Sequence, residues 1–368
     1  MTNARFDRLV QAMKKEGLDA LAINPGPSLF YLTGLPFHLM ERPTVLLVVP
    51  DKVPVLILPE LEKLKLAASR VPITGFTYND NPASWPAAFE KAAASLDLTG
   101  KTIGVEPTRL RVLELRYLEG AIPSAHFVSS ENIFSALRMQ KDSTELNAMR
   151  KAVQIAQQAL LSTLPFIHPG VTERAIASEL VSQLLKAGTE PDMPFFPIVS
   201  GGPNSANPHA VPSDRPIAVG ELLVIDWGAA CDGYASDLTR TFAIGDVEPE
   251  YHRIAEVVLQ ANTAGRAAGK PGLVAGQVDA AARQVIDAAG YGAYFNHRVG
   301  HGLGMEGHEH PYMFAENILV LQPGMTYTVE PGIYLPSRGG VRIEDNVVIT
   351  SEGCETLSDL PRELKRLT

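Results

Sequence analysis

Apolar residues recur along this chain with two different periods. In "RFDRLVQAMKKEG" (residues 5–17) they fall at helical spacing, and the next run, "DALAIN", is short and continuous. The pair predicts an amphipathic helix feeding a buried strand. "TVLLVV" and "VPVLIL" flank the turn residues Pro50 and Asp51, and "KTIGVE" and "AHFVSS" repeat the strand signal between helical segments. Such alternation predicts an N-terminal α/β domain around a buried sheet. This part carries no Walker motif and no pairing of acids with histidines, so its expected role is architectural, or to form one wall of a cleft.

The pattern changes near "RMQKDSTELNAMRKAVQIAQQALL". Asp142, with Glu145 three residues on, has the form of a capping box opening a long amphipathic helix. The domain boundary is therefore expected between about residues 136 and 142, giving domains 1–138 and 139–368. The second domain contains an internal echo. Residues 168–188, "HPGVTERAIASELVSQLLKAG", align without gaps on residues 270–290, "KPGLVAGQVDAAARQVIDAAG". Each copy reads as a helix closed by glycine, and each leads to a strand pair carrying two acids, which predicts a pseudo-repeat.

In "ELLVIDWGAACDGYASDLTRTFAIG" a buried-strand run precedes Asp232-Gly233, a strong hairpin-turn signal. A two-residue turn there places Thr239 opposite Asp226, with Asp237 diagonal to Asp226 on the same face. In "TYTVEPGIYLPSRGGVRIEDNVVIT", Glu330 and Glu344 lie symmetrically about Ser337. A turn in "PSRGG" sets them across from each other, with an irregularity expected at Pro331. Single acids usually face solvent. Four acids embedded in apolar strands and paired by hairpin geometry repel one another, and burial aggravates this. The physical remedy is a cation. Oxygen-rich ligation with one imidazole suits Mn²⁺, with Co²⁺ or Zn²⁺ also possible, and two such ions serve hydrolysis.

The stretch "HRVGHGLGMEGHEHPYM" (297–313) holds four of the nine histidines and a "GLGMEG" that fits a dinucleotide-binding glycine pattern. That fingerprint needs a strand before it and a helix after it, and Pro311 opposes the helix. A metal site with His301 as the nitrogen ligand fits better. There is no HExxH helix of a single-zinc protease. Net charge is −9, which argues against nucleic acid or an anionic membrane as the main partner. Two cysteines, Cys231 and Cys354, make no disulfide framework, so a reducing cytoplasm is expected. The N-terminus lacks the apolar core of a signal peptide, and the apolar runs are strand-sized, so no transmembrane helix is expected.

On the strings "IDWGAACDGYASDLTRTF", "GHGLGMEGHE", "TVEPGIY" and "GGVRIEDNVVIT", the chain resembles the pita-bread metallopeptidases: Xaa-Pro dipeptidase (prolidase), aminopeptidase P and methionine aminopeptidase. "SLFYLTGLP" is similar to the N-terminal domain of the proline-specific members, which makes methionine aminopeptidase the poorer match. The resemblance implies an α/β domain followed by an α+β pita-bread catalytic domain. It implies a dinuclear site of Asp226, Asp237, His301, Glu330 and Glu344. Asp226 would bind one metal, His301 and Glu330 the other, and Asp237 and Glu344 would be shared. It implies substrate-pocket roles for His209, His297 and His308, catalytic roles for Glu330, His297 and His308, and Arg342 as a support for the acids. Xaa-Pro dipeptides or longer peptides would be the substrates, and a homodimer the assembly. One departure concerns specificity. Some proline dipeptidases hold the substrate carboxylate with an arginine shortly before "LQPGM", whereas this chain has "FAENILVLQPGM". Arg298 or Arg338 is the candidate replacement. The competing readings are a creatinase-like or metal-dependent enzyme acting on a small non-peptide substrate, and a binding protein whose catalysis has been lost.

Overall fold

The computed structural model describes residues 4–367, so the outer ends of the two domain ranges, residues 1–3 and 368, lie outside the described residues. The chain divides between Arg138 and Met139 into two compact units. The first runs α1 (Ala4–Glu16), β1 (Ala20–Ile23), α2 (Pro27–Thr33), β2 (Val45–Val48), β3 (Val55–Pro59), β4 (Thr74–Tyr78), α3 (Trp85–Leu96), β5 (Thr102–Val105), α4 (Val112–Ala121), β6 (His126–Ser129) and α5 (Glu131–Met139). Its six strands form one sheet in the order β4-β3-β2-β1-β5-β6. The helical face of α1 buries Leu9 and Met13. β1, β2 and β3 are buried along their whole length, as continuous apolar runs require. The edge strands β4 and β6 are largely exposed. β4, in "ITGFTY", is too polar to stand out by hydrophobic pattern.

The second unit opens with α6 (Ser143–Thr163). Asp142 accepts from the backbone N–H groups of Thr144 (2.9 Å) and Glu145 (3.0 Å), and Glu145 accepts in return from Asp142 N (2.7 Å). This is the reciprocal cap that the sequence predicts. There follow α7 (Glu173–Ala187), β7 (Ile198–Gly201), β8 (Leu222–Trp227), the short β9 (Ala230–Cys231) and β10 (Tyr234–Ala235), and β11 (Leu238–Ile244). The second half repeats the order: α8 (Pro249–Ala268), α9 (Gly276–Ala288), β12 (Gly300–Gly302), β13 (Glu309–Met313), β14 (Thr326–Val329), β15 (Gly332–Leu335), β16 (Gly339–Arg342) and β17 (Asp345–Ile349), closed by β18 (Cys354–Thr356) and β19 (Lys365–Leu367). Four strands pair as β19-β11-β8-β7 and five as β13-β12-β14-β17-β18.

Each half buries its own core. Val153, Leu160, Ile176, Leu180 and Leu184 of α6 and α7 pack with Leu223, Ile225 and Trp227 of β8. Ile254, Val258, Ala261, Val278, Ala282 and Ile286 of α8 and α9 pack with Tyr327, Val329 and Val347. An isolated bridge between Thr239 and Glu344 links the two halves. Among the described residues no helix is long and apolar enough to cross a membrane.

Candidate metal centre

Two hairpins build the centre. In the first, Thr239 pairs with Asp226 and Leu238 with Trp227. The turn residues Asp232 (φ 53°) and Gly233 (φ 79°) take the two left-handed conformations that a type I′ turn demands. In the second, Gly332 pairs with Arg342 and Leu335 with Gly339, and one step outward Val329 pairs with Asp345. Glu330 and Glu344 occupy the gap between these two ladders. Pro331, which has no N–H to give, breaks the pairing there. Freed from the ladder, Glu344 instead donates its N–H to Thr239 O (3.1 Å) of the first hairpin.

The five residues converge. Ligand atoms of Asp226, Asp237 and Glu344 lie within 4.8 Å of one another, as do those of His301, Glu330 and Glu344. The two triads share Glu344. His308 comes equally close to Asp237 and His301, and its ring stacks on that of His301 at 3.6 Å between centroids. Together they line a cleft of about 420 Å³ that also takes in Phe195, Ile198, Pro208, His209, His297 and Arg298.

Hydrogen bonding settles how these groups face one another. His301 Nδ1 lies 3.1 Å from Gly302 O. A carbonyl only accepts, so the ring proton sits on Nδ1 and Nε2 presents a lone pair. That lone pair faces Glu330 Oε1 at 3.3 Å and Asp237 Oδ2 at 3.6 Å. Burial holds the His301 imidazole well below its ordinary pKa, so no second proton relieves the contact. Asp226 Oδ1 and Asp237 Oδ1 are buried with no hydrogen-bond partner among the described residues. Buried acceptors are nearly always paired. A convergence of lone pairs on one small volume fits divalent cations.

The charge state agrees. Burial, reinforced by the neighbouring acids, raises Asp237 and Glu344 well above the usual carboxylate range. Burial also raises Asp226, against the pull of Arg342, and lifts Glu330 to about 7. A divalent ion reverses this cost by stabilising the ionised forms.

A fixed scaffold of donors orients the acids. Thr239 Oγ1 donates to Glu344 Oε2 (2.6 Å), and Thr328 Oγ1 donates to Glu330 Oε1 (3.2 Å). Asn346 clamps the Asp237 backbone, accepting from its N–H at 3.0 Å and donating to its carbonyl. Arg342, 3% exposed, donates to Asp226 Oδ2 (2.7 Å), Thr239 Oγ1 (3.1 Å) and the Tyr334 hydroxyl (3.0 Å). Thr239, Tyr334 and Asn346 had no assigned role in the sequence. Tyr334 and Asn346 stand inside the strings "TVEPGIY" and "RIEDN", and Thr239 is the hairpin partner of Asp226, so each carried a positional signal. Arg342→Met is expected to destabilise the metal-free protein by about 3–5 kcal/mol by stranding the Asp226 carboxylate. Urea denaturation under chelation measures it, and no detectable change would remove the argument.

The histidines divide. His308 and His209 are exposed at the cleft. His297 is not free. Its Nδ1 donates to Arg298 O (2.8 Å), and its Nε2 accepts from the Tyr334 hydroxyl (2.9 Å). Burial lowers its pKa to about 4, so the ring is neutral and has no N–H left for a substrate. The two candidate arginines also separate. Arg338 pairs with Glu248 and is exposed. Arg298 lines the cleft, stacks on Tyr312 with its guanidinium 4.2 Å from the ring centroid, and has no carboxylate partner among the described residues. "GLGMEG" is no dinucleotide turn. A strand and a tight loop follow it, and a side chain at Gly302 would meet His310 O at 2.2 Å.

Comparison with known proteins places these features. Residues 147–351 match metallopeptidase family M24, and residues 5–140 match the creatinase/prolidase N-terminal domain. An Xaa-Pro dipeptidase of Lactobacillus helveticus is 36% identical over 362 residues, covering 98% of each chain. The crystal structure of a dipeptidase from Pyrococcus horikoshii superposes with a TM-score of 0.93 at 34% identity, over 99% of this chain and 100% of that one. An X-Pro aminopeptidase from Thermotoga maritima superposes with a TM-score of 0.85 at 31% identity, over 98% and 99%.

Proposed function

The chain belongs to metallopeptidase family M24, and from that premise we propose that it hydrolyses Xaa-Pro peptide bonds, with dipeptides as its preferred substrates. The observation that carries the metal part of this reading is the convergence of the His301 Nε2 lone pair with the unpartnered oxygens of Asp226 and Asp237. Asp226, Asp237 and Glu344 would hold one divalent ion and His301, Glu330 and Glu344 the other, with Mn²⁺ the favoured identity for an oxygen-rich set. Bound there, such ions supply Lewis acidity, which lowers the pKa of water and polarises a carbonyl.

The protein's own groups complete the chemistry. An Xaa-Pro bond is a tertiary amide with no N–H, and its proline nitrogen must be protonated to leave. Glu330, oriented by the hydroxyl of Thr328, accepts the proton of the attacking water and returns it to that nitrogen. His308, exposed at the cleft and stacked on His301, donates to the developing oxyanion. His297 was a second candidate donor. With both nitrogens engaged, it instead forms a fixed wall. His209 lines the same cleft. A homodimer and a cytoplasmic location complete the proposal, on the strength of the family resemblance and the two free cysteines.

Dipeptide preference rests on Arg298. Among the described residues it is the cleft arginine without a carboxylate partner, because Arg342 is committed to Asp226. A guanidinium so placed suits a terminal carboxylate. Removing a charge-assisted hydrogen bond of this kind costs about 1.5–3 kcal/mol. Arg298→Ala is accordingly expected to raise KM for Gly-Pro and Ala-Pro about 10- to 100-fold and to leave Xaa-Pro tripeptides almost unchanged. Steady-state kinetics on both sets, with metal content measured alongside, decides the matter. Equal losses on dipeptides and tripeptides would remove Arg298 from carboxylate binding. Preferred cleavage of tripeptides by the wild type would favour the aminopeptidase reading, and inactivity on every peptide would favour a non-peptide substrate.

A further inference from the structure

The two loops that bring His209, His297 and Arg298 to the cleft are each fastened by one fully buried carboxylate, and neither carboxylate faces the cleft. Glu173, 0% exposed, stands at the first residue of α7. Its Oε1 accepts from Gly201 N (2.7 Å) and Asn204 Nδ2 (3.0 Å). Its Oε2 accepts from Asn204 Nδ2 (3.0 Å), Ser213 N (3.0 Å) and Ser213 Oγ (2.6 Å). Asn204 and Ser213 bracket the loop that presents His209. In the second half, Asp279, also 0% exposed, lies in the first turn of α9. Its Oδ1 accepts from Val299 N (2.8 Å), and it pairs with Arg283 (Nε to Oδ2, 2.9 Å). Arg283 in turn donates to Phe295 O (3.0 Å) and His297 O (2.9 Å). The backbone is thus held on both sides of His297 and Arg298.

We propose that Glu173 and Asp279 are positioning residues, one in each half of the catalytic unit at non-equivalent positions, which fix the substrate-facing loops against their helices. The inference rests on the cleft reading above, in which His209 and Arg298 meet the substrate. Burying a carboxylate is costly, and an apolar side chain often packs at least as well. What these two acids add is precision. Each satisfies several donors of an irregular backbone that no strand ladder can hold, at points flanking a cleft residue. Placement errors near 1 Å are enough to cost an enzyme about 100-fold. The helix N-terminus further stabilises the charge.

Double-mutant cycles test the brace. Glu173→Gln and Asp279→Asn keep size and turn acceptors into mixed groups. Each is expected to lower kcat/KM on Ala-Pro about 10- to 100-fold, by the placement argument, with metal content at the wild-type ratio. If Glu173 acts through His209, adding Glu173→Gln to His209→Ala produces little further loss, and likewise for Asp279→Asn on Arg298→Ala. A brace that served folding alone would multiply the losses, and that result overturns the inference, as do wild-type kinetics in the single variants. Should Glu173→Gln fail to fold, Ser213→Ala, which removes one donor from the loop side, enters the same cycle. Wild-type kinetics in His209→Ala and Arg298→Ala would instead sink the cleft reading. Impaired kinetics there combined with multiplicative brace losses would sink only the brace.

Discussion

Glu330→Gln is expected to lower kcat on Xaa-Pro dipeptides by about 10³-fold, in the range that loss of a general base produces, while KM moves little. The carboxylate stands where the two hairpins meet. Thr328 donates to one of its oxygens, and the same oxygen lies 3.3 Å from His301 Nε2. Burial lifts its pKa to about 7 in the metal-free chain, and a bound cation would lower it again, keeping the carboxylate ready to accept a proton. Glutamine keeps the shape and one oxygen but has no basic lone pair of comparable strength. His308→Ala isolates the other half of the mechanism and should lower turnover with metal content retained. Stopped assays with elemental analysis of each variant separate lost chemistry from lost metal. Normal turnover in a metal-replete Glu330→Gln protein would eliminate the proton-transfer role.

Removing the metals is expected to abolish activity and to reverse the pH dependence of stability. Asp226, Asp237, Glu330 and Glu344 all carry raised pKa values in the folded, metal-free chain. A raised carboxyl binds its proton more tightly folded than unfolded. Its stabilising contribution is therefore complete below the ordinary carboxylate range and disappears as pH rises through the folded value, which for Glu330 is about 7. For Glu330 alone, a rise from 4.5 to about 7 corresponds to about 3 kcal/mol. The chelated protein should lose Tm between pH 5 and pH 8, on the order of several degrees. Metal binding runs the other way, because ligation requires deprotonated groups and tightens as pH rises. The gap in Tm between Mn²⁺-loaded and chelated protein should widen steadily across that range. A gap that is constant with pH would show that the acids are not electrostatically coupled as the structure requires.

Much of the centre was legible in the sequence, because four of its five converging residues lie on hairpins whose turns the sequence announces. Asp232-Gly233 sets Thr239 against Asp226, and the symmetry of Glu330 and Glu344 about Ser337 survives as a continuous register on either side of the Pro331 break. Register is a local property: once a turn is placed, every opposite pair is determined. The Asp142–Glu145 cap is read the same way, from residues three apart. β4 escaped because an exposed edge strand lacks the apolar run that marks its neighbours.

What the sequence by itself determined was thus the two hairpins that carry Asp226, Asp237, Glu330 and Glu344 and the helices that back them, all consequences of short-range spacing and alternation. What only the tertiary structure decided was how the remaining polar groups are spent. Arg342 is committed to Asp226 across 116 residues, Asn346 to Asp237 across 109, and Tyr334 to His297 across 37. These contacts occupy both ring nitrogens of His297, leave Arg298 in the cleft with no carboxylate partner among the described residues and place Arg338 at the surface. A hydrogen bond has angular and distance limits of a few tenths of an ångström, and no pattern along the chain specifies position that finely between elements a hundred residues apart. The packing of the two halves does.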